Sequence, residues 1–265
     1  MSDHGSRITN HGFFVTGTDT GVGKTLVACS LLRAFAARGM TAAGMKPVAS
    51  GVTPGAAGDV ERLAAAANVT APREEVNPYG FAPPIAPHIA AHQAGVRIEL
   101  DRIERAFRAL SARAQVVVVE GIGGFNVPLG PGIDTTQLAA RLALPVVLVV
   151  GMRLGCLNHA LLTAEAISAR GLKLAGWVAN HIDPDMAAAT ENVEALEQRM
   201  PSRLLARIEH AAVPDARSIA SKLDISTPRH FIGAKTSTRY GWRALSGRPR
   251  SARTRAIKSA RKRPI

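Results

Sequence analysis

Gly17-Thr18-Asp19-Thr20-Gly21-Val22-Gly23-Lys24-Thr25 places three glycines, a lysine and a hydroxyl in one short loop. Glycine lets the backbone approach a ligand without a Cβ clash, so consecutive N–H groups can wrap a phosphate. Lys24 supplies a point charge for β- and γ-phosphates, and the Thr25 hydroxyl is a ligand for Mg²⁺. The first glycine lies six residues before Gly23, so the loop is one residue longer than the strict pattern. Such a loop needs a carboxylate to hold the ion. Glu120 follows Val116-Val117-Val118-Val119, and a carboxylate directly after a buried strand must be paired or solvated. Asp59 opens a helical segment, where aspartate also serves as an N-cap. Lys46 comes at the end of an apolar run and is followed by Pro47-Val48-Ala49-Ser50-Gly51. Alone it reads as a surface charge; beside Lys24 and Glu120 it would stabilise charge on a transferred phosphoryl group.

Those residues need a scaffold that brings strand ends together. Phe13–Thr16 reads as a buried strand and Lys24–Arg38 as a helix whose Val27, Leu31 and Phe35 recur at four-residue spacing, closed by Gly39. Strands are expected at Ala42–Lys46, Val116–Val119, Pro145–Val150 and Leu172–Ala179, and helices at Leu100–Arg113, Asn158–Arg170 and Met186–Arg199. Alternation of this kind predicts an α/β fold of the single-domain P-loop NTPase type, Rossmann-like, with a mostly parallel sheet covered by helices on both faces. Ligands then collect at the carboxyl edge of the strands, where the lysines and carboxylates lie.

Of the 265 residues, 46% are hydrophobic and only two are cysteine, Cys29 and Cys156, so neither a disulfide framework nor a Cys-rich zinc site is expected. The first 12 residues lack a signal-peptide apolar run, and the apolar stretch Leu142–Met152 is too short to cross a membrane, which predicts a cytoplasmic protein. The formal charge is +13, yet 12 of the 33 Lys and Arg fall after residue 228, in a stretch without Asp or Glu. Two regions are expected: residues 1–228 as the P-loop domain and 229–265 as a basic, disordered tail. The tail reads as a dispensable extension of the kind an out-of-frame GC-rich stretch encodes. The competing reading is an arm for nucleic acid or a membrane surface, with Tyr240 and Trp242 as stacking residues. Nucleic acid is otherwise not an expected partner. His88 and His92 are four apart, as helical zinc ligands are, but no glutamate or third ligand accompanies them.

The phosphate loop, Lys46-Pro47-Val48-Ala49-Ser50-Gly51, Val119-Glu120-Gly121-Ile122-Gly123-Gly124, Leu154-Gly155-Cys156-Leu157-Asn158-His159-Ala160 and Gly176-Trp177-Val178-Ala179-Asn180 together resemble the dethiobiotin synthetase family. The likeness runs in order from about Phe13 to about Leu223. It implies ATP- and Mg²⁺-dependent carboxylation of 7,8-diaminononanoate by CO₂ with closure of a ureido ring. By resemblance, Thr25, Asp59 and Glu120 hold the metal, and Gly21, Val22, Gly23 and Lys24 cradle the phosphates. Thr20, Lys24, Lys46 and Ser50 surround the reacting carbamate, with Lys46 foremost. Gly155, Cys156, Leu157 and Asn158 reach the substrate carboxylate bound by a neighbouring subunit, which implies a homodimer. Leu26, Gly121, Ile122, Gly123, Asn180, His181, Ile208, Glu209 and His210 complete the nucleotide pocket, with Asn180 at the adenine edge. His181 and Glu209 depart from the family pattern of Asp and Pro, which bears on the choice of nucleoside triphosphate.

Two other P-loop classes are weighed. Amidating synthetases of the cobyrinic acid type need a glutamine-handling domain with a nucleophilic cysteine, for which this body has no room. A partitioning-type switch ATPase would use the basic tail on DNA and carries a further lysine near the loop start, where Thr18 and Asp19 stand.

Overall fold

The computed structural model describes residues 11–225, apart from 54, 56 and 57; the basic stretch 229–265, with Tyr240 and Trp242, lies outside the described residues. In chain order the elements are β1 (His11–Gly17), α1 (Lys24–Ala36), β2 (Ala42–Met45), β3 (Val48–Ser50), α2 (Asp59–Ala66), α3 (Arg73–Val76) and β4 (Tyr79–Phe81). They continue with α4 (Pro87–Gln93), α5 (Leu100–Arg113), β5 (Val116–Glu120), β6 (Pro128–Gly130), β7 (Ile133–Asp134) and α6 (Thr135–Leu142). The last are β8 (Val146–Met152), α7 (Cys156–Ala169), β9 (Leu174–His181), α8 (Ala189–Glu197), β10 (Leu204–Ile208) and α9 (Ala216–Lys222).

Six strands form one parallel sheet in the order β10-β9-β8-β1-β5-β2. The valine run explains why β5 lies inside the sheet, between β1 and the edge strand β2. Val116 and Val118 pack with Val15, Val27 and Leu31 on one face, while Val117 and Val119 pack with Phe14, Met45 and Leu110 on the other. A strand buried on both faces needs apolar side chains at every position, and parallel crossovers put helices on both sides. Full burial of one such side chain is worth roughly 1.5–3 kcal/mol.

The chain leaves β1 for the far edge at β2, returns to β5 and crosses to β8 on the other side of β1. The connections therefore diverge at the carboxyl ends around β1, where a parallel sheet leaves a crevice. The two-stranded β3-β4 sheet and the β6-β7 hairpin are separate from the main sheet.

Helix α5 has the expected bounds, and α1 ends two residues early, at Ala36, with Gly39 turning the chain at φ 76°. Helix α7 starts two residues earlier than the periodicity predicts, because Gly155 takes the left-handed conformation (φ 94°) just before it. The expected aspartate cap on α2 gives way to a different arrangement: Gly58 is the N-cap and Asp59 is the first helical residue. Among the described residues no helix is long and apolar enough to cross a membrane.

Candidate active site

Strand β1 delivers the phosphate loop directly onto α1. Gly21 and Gly23 have φ of 75° and 96°, conformations that a side chain disfavours. A Cβ on Gly23 would also collide with the Asn180 amide. That amide, from the end of β9, donates to the Val22 carbonyl oxygen at 2.8 Å, so the loop is held from a strand two places away in the sheet. The loop lies along a cavity of about 930 Å³.

Three more elements bring charge to that cavity. Lys46 follows β2, Glu120 ends β5 and Asp59 begins α2. Lys46 Nζ donates to Glu120 Oε1 at 2.5 Å and to the Gly121 carbonyl at 3.0 Å, and lies 3.3 Å from Asp59 Oδ2. Thr25 Oγ1 donates to the same Glu120 oxygen at 2.8 Å. Lys24 Nζ donates to the Asp19 carbonyl at 2.8 Å.

Burial and proximity set the ionisation of these groups. Burial pushes Lys24 down to about 8, and the positive charge of Lys46 adds to the effect. Burial raises the Glu120 carboxyl above its ordinary range, helped by repulsion from Asp59 and opposed by Lys46 and Thr25. Partial burial works against ionisation of Asp59, but the Lys46 charge and the hydrogen bonds from Thr25 and Lys46 win, and its carboxyl sits below the usual value.

Glu120 is fully buried, and among the described residues its Oε2 has no hydrogen-bond partner. A buried carboxylate oxygen left unpaired is costly. Together with the Thr25 hydroxyl and the half-exposed Asp59 carboxylate, it forms a set of hard oxygen donors suited to Mg²⁺. Ser50 Oγ is likewise buried without a partner.

Most of the site residues expected from sequence line this one cavity. From the phosphate loop and α1 come Thr20, Gly21, Gly23, Lys24, Thr25 and Leu26; from the β2, β3 and α2 region come Lys46, Ser50 and Asp59. Glu120, Ile122 and Gly123 follow from β5, Asn180 and His181 from β9, and Glu209 and His210 from the turn after β10. Val22 and Gly121 take part through their carbonyls, to Asn180 and Lys46. Ile208 is a buried core residue. Gly155, Cys156, Leu157 and Asn158 do not line the cavity; they form the start of α7, where the Cys156 side chain is buried and Asn158 is exposed. Among the described residues no group of three His, Cys, Asp or Glu side chains is assembled for a metal, so His88 and His92 gain no third ligand.

Two arginines of the site carry no sequence motif. Arg62 lines the cavity one turn after Asp59. Arg153, just past β8, pairs with Asp19 of the phosphate loop at 2.5 Å. Only their position after Asp59 and after a strand end could have drawn attention to them.

Residues 11–217 match a family model described as an AAA domain. The ATP-dependent dethiobiotin synthetase BioD of Nitrosospira multiformis is 57% identical over 215 residues, covering 81% of this chain and 95% of that protein. The proteins of the same name from Aromatoleum aromaticum and Ralstonia nicotianae are 53% and 51% identical, each covering 80% of this chain and 96% and 95% of their own lengths. Among solved structures, the MinC:MinD cell division complex of Aquifex aeolicus aligns with a TM-score of 0.49 and 13% identity, over 76% of this chain and 82% of that one. The residues that line the cavity thus fall within a sequence that, over four fifths of its length, is similar to that of one kind of ligase. The chain belongs to the family of ATP-dependent dethiobiotin synthetases of biotin biosynthesis.

Proposed function

We propose that the cavity binds ATP and 7,8-diaminononanoate side by side and closes the ureido ring with CO₂. One amine of the substrate adds to CO₂, losing a proton to give a carbamate. A carbamate oxygen attacks the γ-phosphorus of ATP, and the bond to ADP breaks. The second amine then attacks the carbonyl carbon of the mixed anhydride, releases phosphate and leaves dethiobiotin.

What this asks of a protein is positioning and neutralisation of negative charge. Lys24 and Lys46 are two buried cations on one cavity, and Lys46 would stabilise the negative charge of the transferred phosphoryl group. Ser50 Oγ, buried and unpaired, is a donor for the carbamate, and Thr20 stands at the same wall. Thr25, Asp59 and Glu120 would hold Mg²⁺, which when bound neutralises the β- and γ-phosphate oxygens. The unpaired Glu120 Oε2 is the observation that carries this reading, because the free protein leaves a buried acceptor unused where the ion would sit.

Asn180 is assigned to the adenine edge, with His181, Glu209 and His210 around the base; these side chains also make other nucleoside triphosphates candidates. A homodimer accounts for Gly155 to Asn158. Their place at the exposed start of α7, next to Leu154 (95% exposed) and apart from their own subunit's cavity, fits a role in the partner's site. The proposed compartment is the cytoplasm.

The test is release of ADP by the full chain in bicarbonate and Mg²⁺, with and without 7,8-diaminononanoate, with the product mass recorded. Substrate-dependent turnover giving dethiobiotin is expected. Substrate-independent hydrolysis coupled to DNA binding would replace this reading by a switch ATPase.

A further inference from the structure

The phosphate loop carries a negative charge of its own. Asp19 lines the cavity beside Gly21, Lys24 and Thr25, and its Oδ1 accepts a hydrogen bond from the Thr20 N–H at 2.7 Å. That hydrogen bond is the largest influence; with help from Arg153 and His159 it outweighs burial, which acts the other way, and holds the carboxyl below its usual range. Asp19 is therefore ionised at neutral pH, in a loop that must receive a triphosphate. Like charges so close oppose binding.

Arg153 offsets that charge. It lies one residue beyond β8, and its Nη2 is 2.5 Å from Asp19 Oδ2. Other contacts join the same two segments: Thr18 N donates to Val149 O at 3.0 Å and Gly151 N to Thr18 Oγ1 at 3.4 Å. Both partners of the ion pair are close to half exposed. A pair so exposed adds little to folding stability. Its location points to the ligand instead.

We propose that Arg153 is a positioning residue that neutralises Asp19 and so makes the phosphate loop hospitable to the nucleotide, without itself touching the phosphates. The Asp19 main chain gives the pair a second consequence. Its carbonyl accepts from Lys24 Nζ, so fixing Asp19 also fixes where the Lys24 charge rests before nucleotide arrives.

This inference rests on the loop binding ATP, and the experiment separates the two. Binding of Mg²⁺-ATP to the full chain is measured by calorimetry, alongside KM and kcat, for the parent, R153A, R153K, D19N and the double variant D19N/R153A. If the parent binds no ATP, the reading of the loop fails before this one is reached. With binding established, R153A is expected to weaken ATP affinity on the order of tenfold, as one unscreened charge near the loop would. Its KM for ATP rises while kcat at saturation changes less than twofold, and its melting temperature stays near the parent's. R153K keeps the positive charge and retains most of the affinity. Asn at position 19 keeps the acceptor for Thr20 and removes the charge, so D19N/R153A recovers the affinity that R153A loses. A double variant as weak as R153A alone would overturn the proposal and make Arg153 a direct ligand of the nucleotide. An R153A protein with parent affinity would overturn it as well.

Discussion

Lys46 is almost fully buried and lies within reach of two carboxylates, one buried and one half exposed. Its ammonium donates to Glu120; in the proposed phosphoryl transfer the same charge would face the γ-phosphate. Lys46→Gln retains a donor for Glu120 but not the charge. It should leave ATP affinity within a few-fold of the parent and lower kcat by about 10²-fold or more, as expected for a group that acts mainly in the transition state. Calorimetry paired with steady-state kinetics checks this, and a large loss of affinity with normal kcat would contradict it. Lys24 predicts a pH dependence. Burial lowers it to about 8 in the folded, nucleotide-free protein, from 10.5. The triphosphate prefers the protonated form, so ATP affinity should be flat below neutrality and fall as pH rises through about 8. Fold stability follows the opposite sense. The unfolded chain keeps the Lys24 proton up to the ordinary value, and stability without nucleotide gains from this group as pH rises between about 8 and 10.5. Titrations of ATP affinity and of unfolding midpoint against pH would show the two trends crossing.

At the scale of elements, β1 matters because it aims the phosphate loop. Gly12 lies against β5 so closely that a Cβ would come within 2.5 Å of the Val117 carbonyl oxygen. That neighbour is backbone in the sheet and has little room to give. Gly12→Ala should therefore destabilise the fold by about 1–3 kcal/mol and weaken ATP binding with it, measured by urea unfolding and calorimetry. An unchanged midpoint would mean that β1 and β5 slide apart without consequence. The elements that sequence reveals are those with a strong internal pattern. The valines of β5 and the spaced apolar residues of α1 and α5 leave few alternatives, and their bounds agree with the structure within a residue or two. Strand β10 was not expected, because Arg207 interrupts a short apolar run at the sheet edge, where one side needs no burial. Helix α9 has a single fully apolar anchor, Ile219, and packs on α1 through tertiary contact. The site is legible to the same degree. Lys46, Glu120 and Asn180 each follow or end a recognisable strand, whereas Arg62 and Arg153 are single arginines that only the folded chain brings to the cavity wall and to the phosphate loop, respectively.

For the whole molecule, charge is distributed unevenly along the sequence. The first 228 residues hold 21 basic and 20 acidic side chains, and the rest hold 12 basic and none acidic. A chain ending at residue 228 should keep the parent's kcat and unfolding midpoint while losing salt-sensitive retention on DNA, since retention of that kind follows the number of cations available to phosphates. A large fall in kcat on truncation would assign the basic stretch a catalytic part. The cavity also shapes how this protein would respond to selection for heat resistance. Glu120 and Lys46 are both almost wholly enclosed, and an enclosed ion pair is often no better for a fold than apolar side chains of similar size. The Glu120 carboxylate oxygen without a hydrogen-bond partner among the described residues deepens that penalty. Lys46→Met combined with Glu120→Leu should thus leave the nucleotide-free chain as heat-resistant as the parent, or raise its stability by up to about 4 kcal/mol, while abolishing ring closure. A lowered melting temperature would speak against it. Laboratory evolution for thermal survival alone would then erase this centre first, and only a growth requirement for its product would keep the two charges in place.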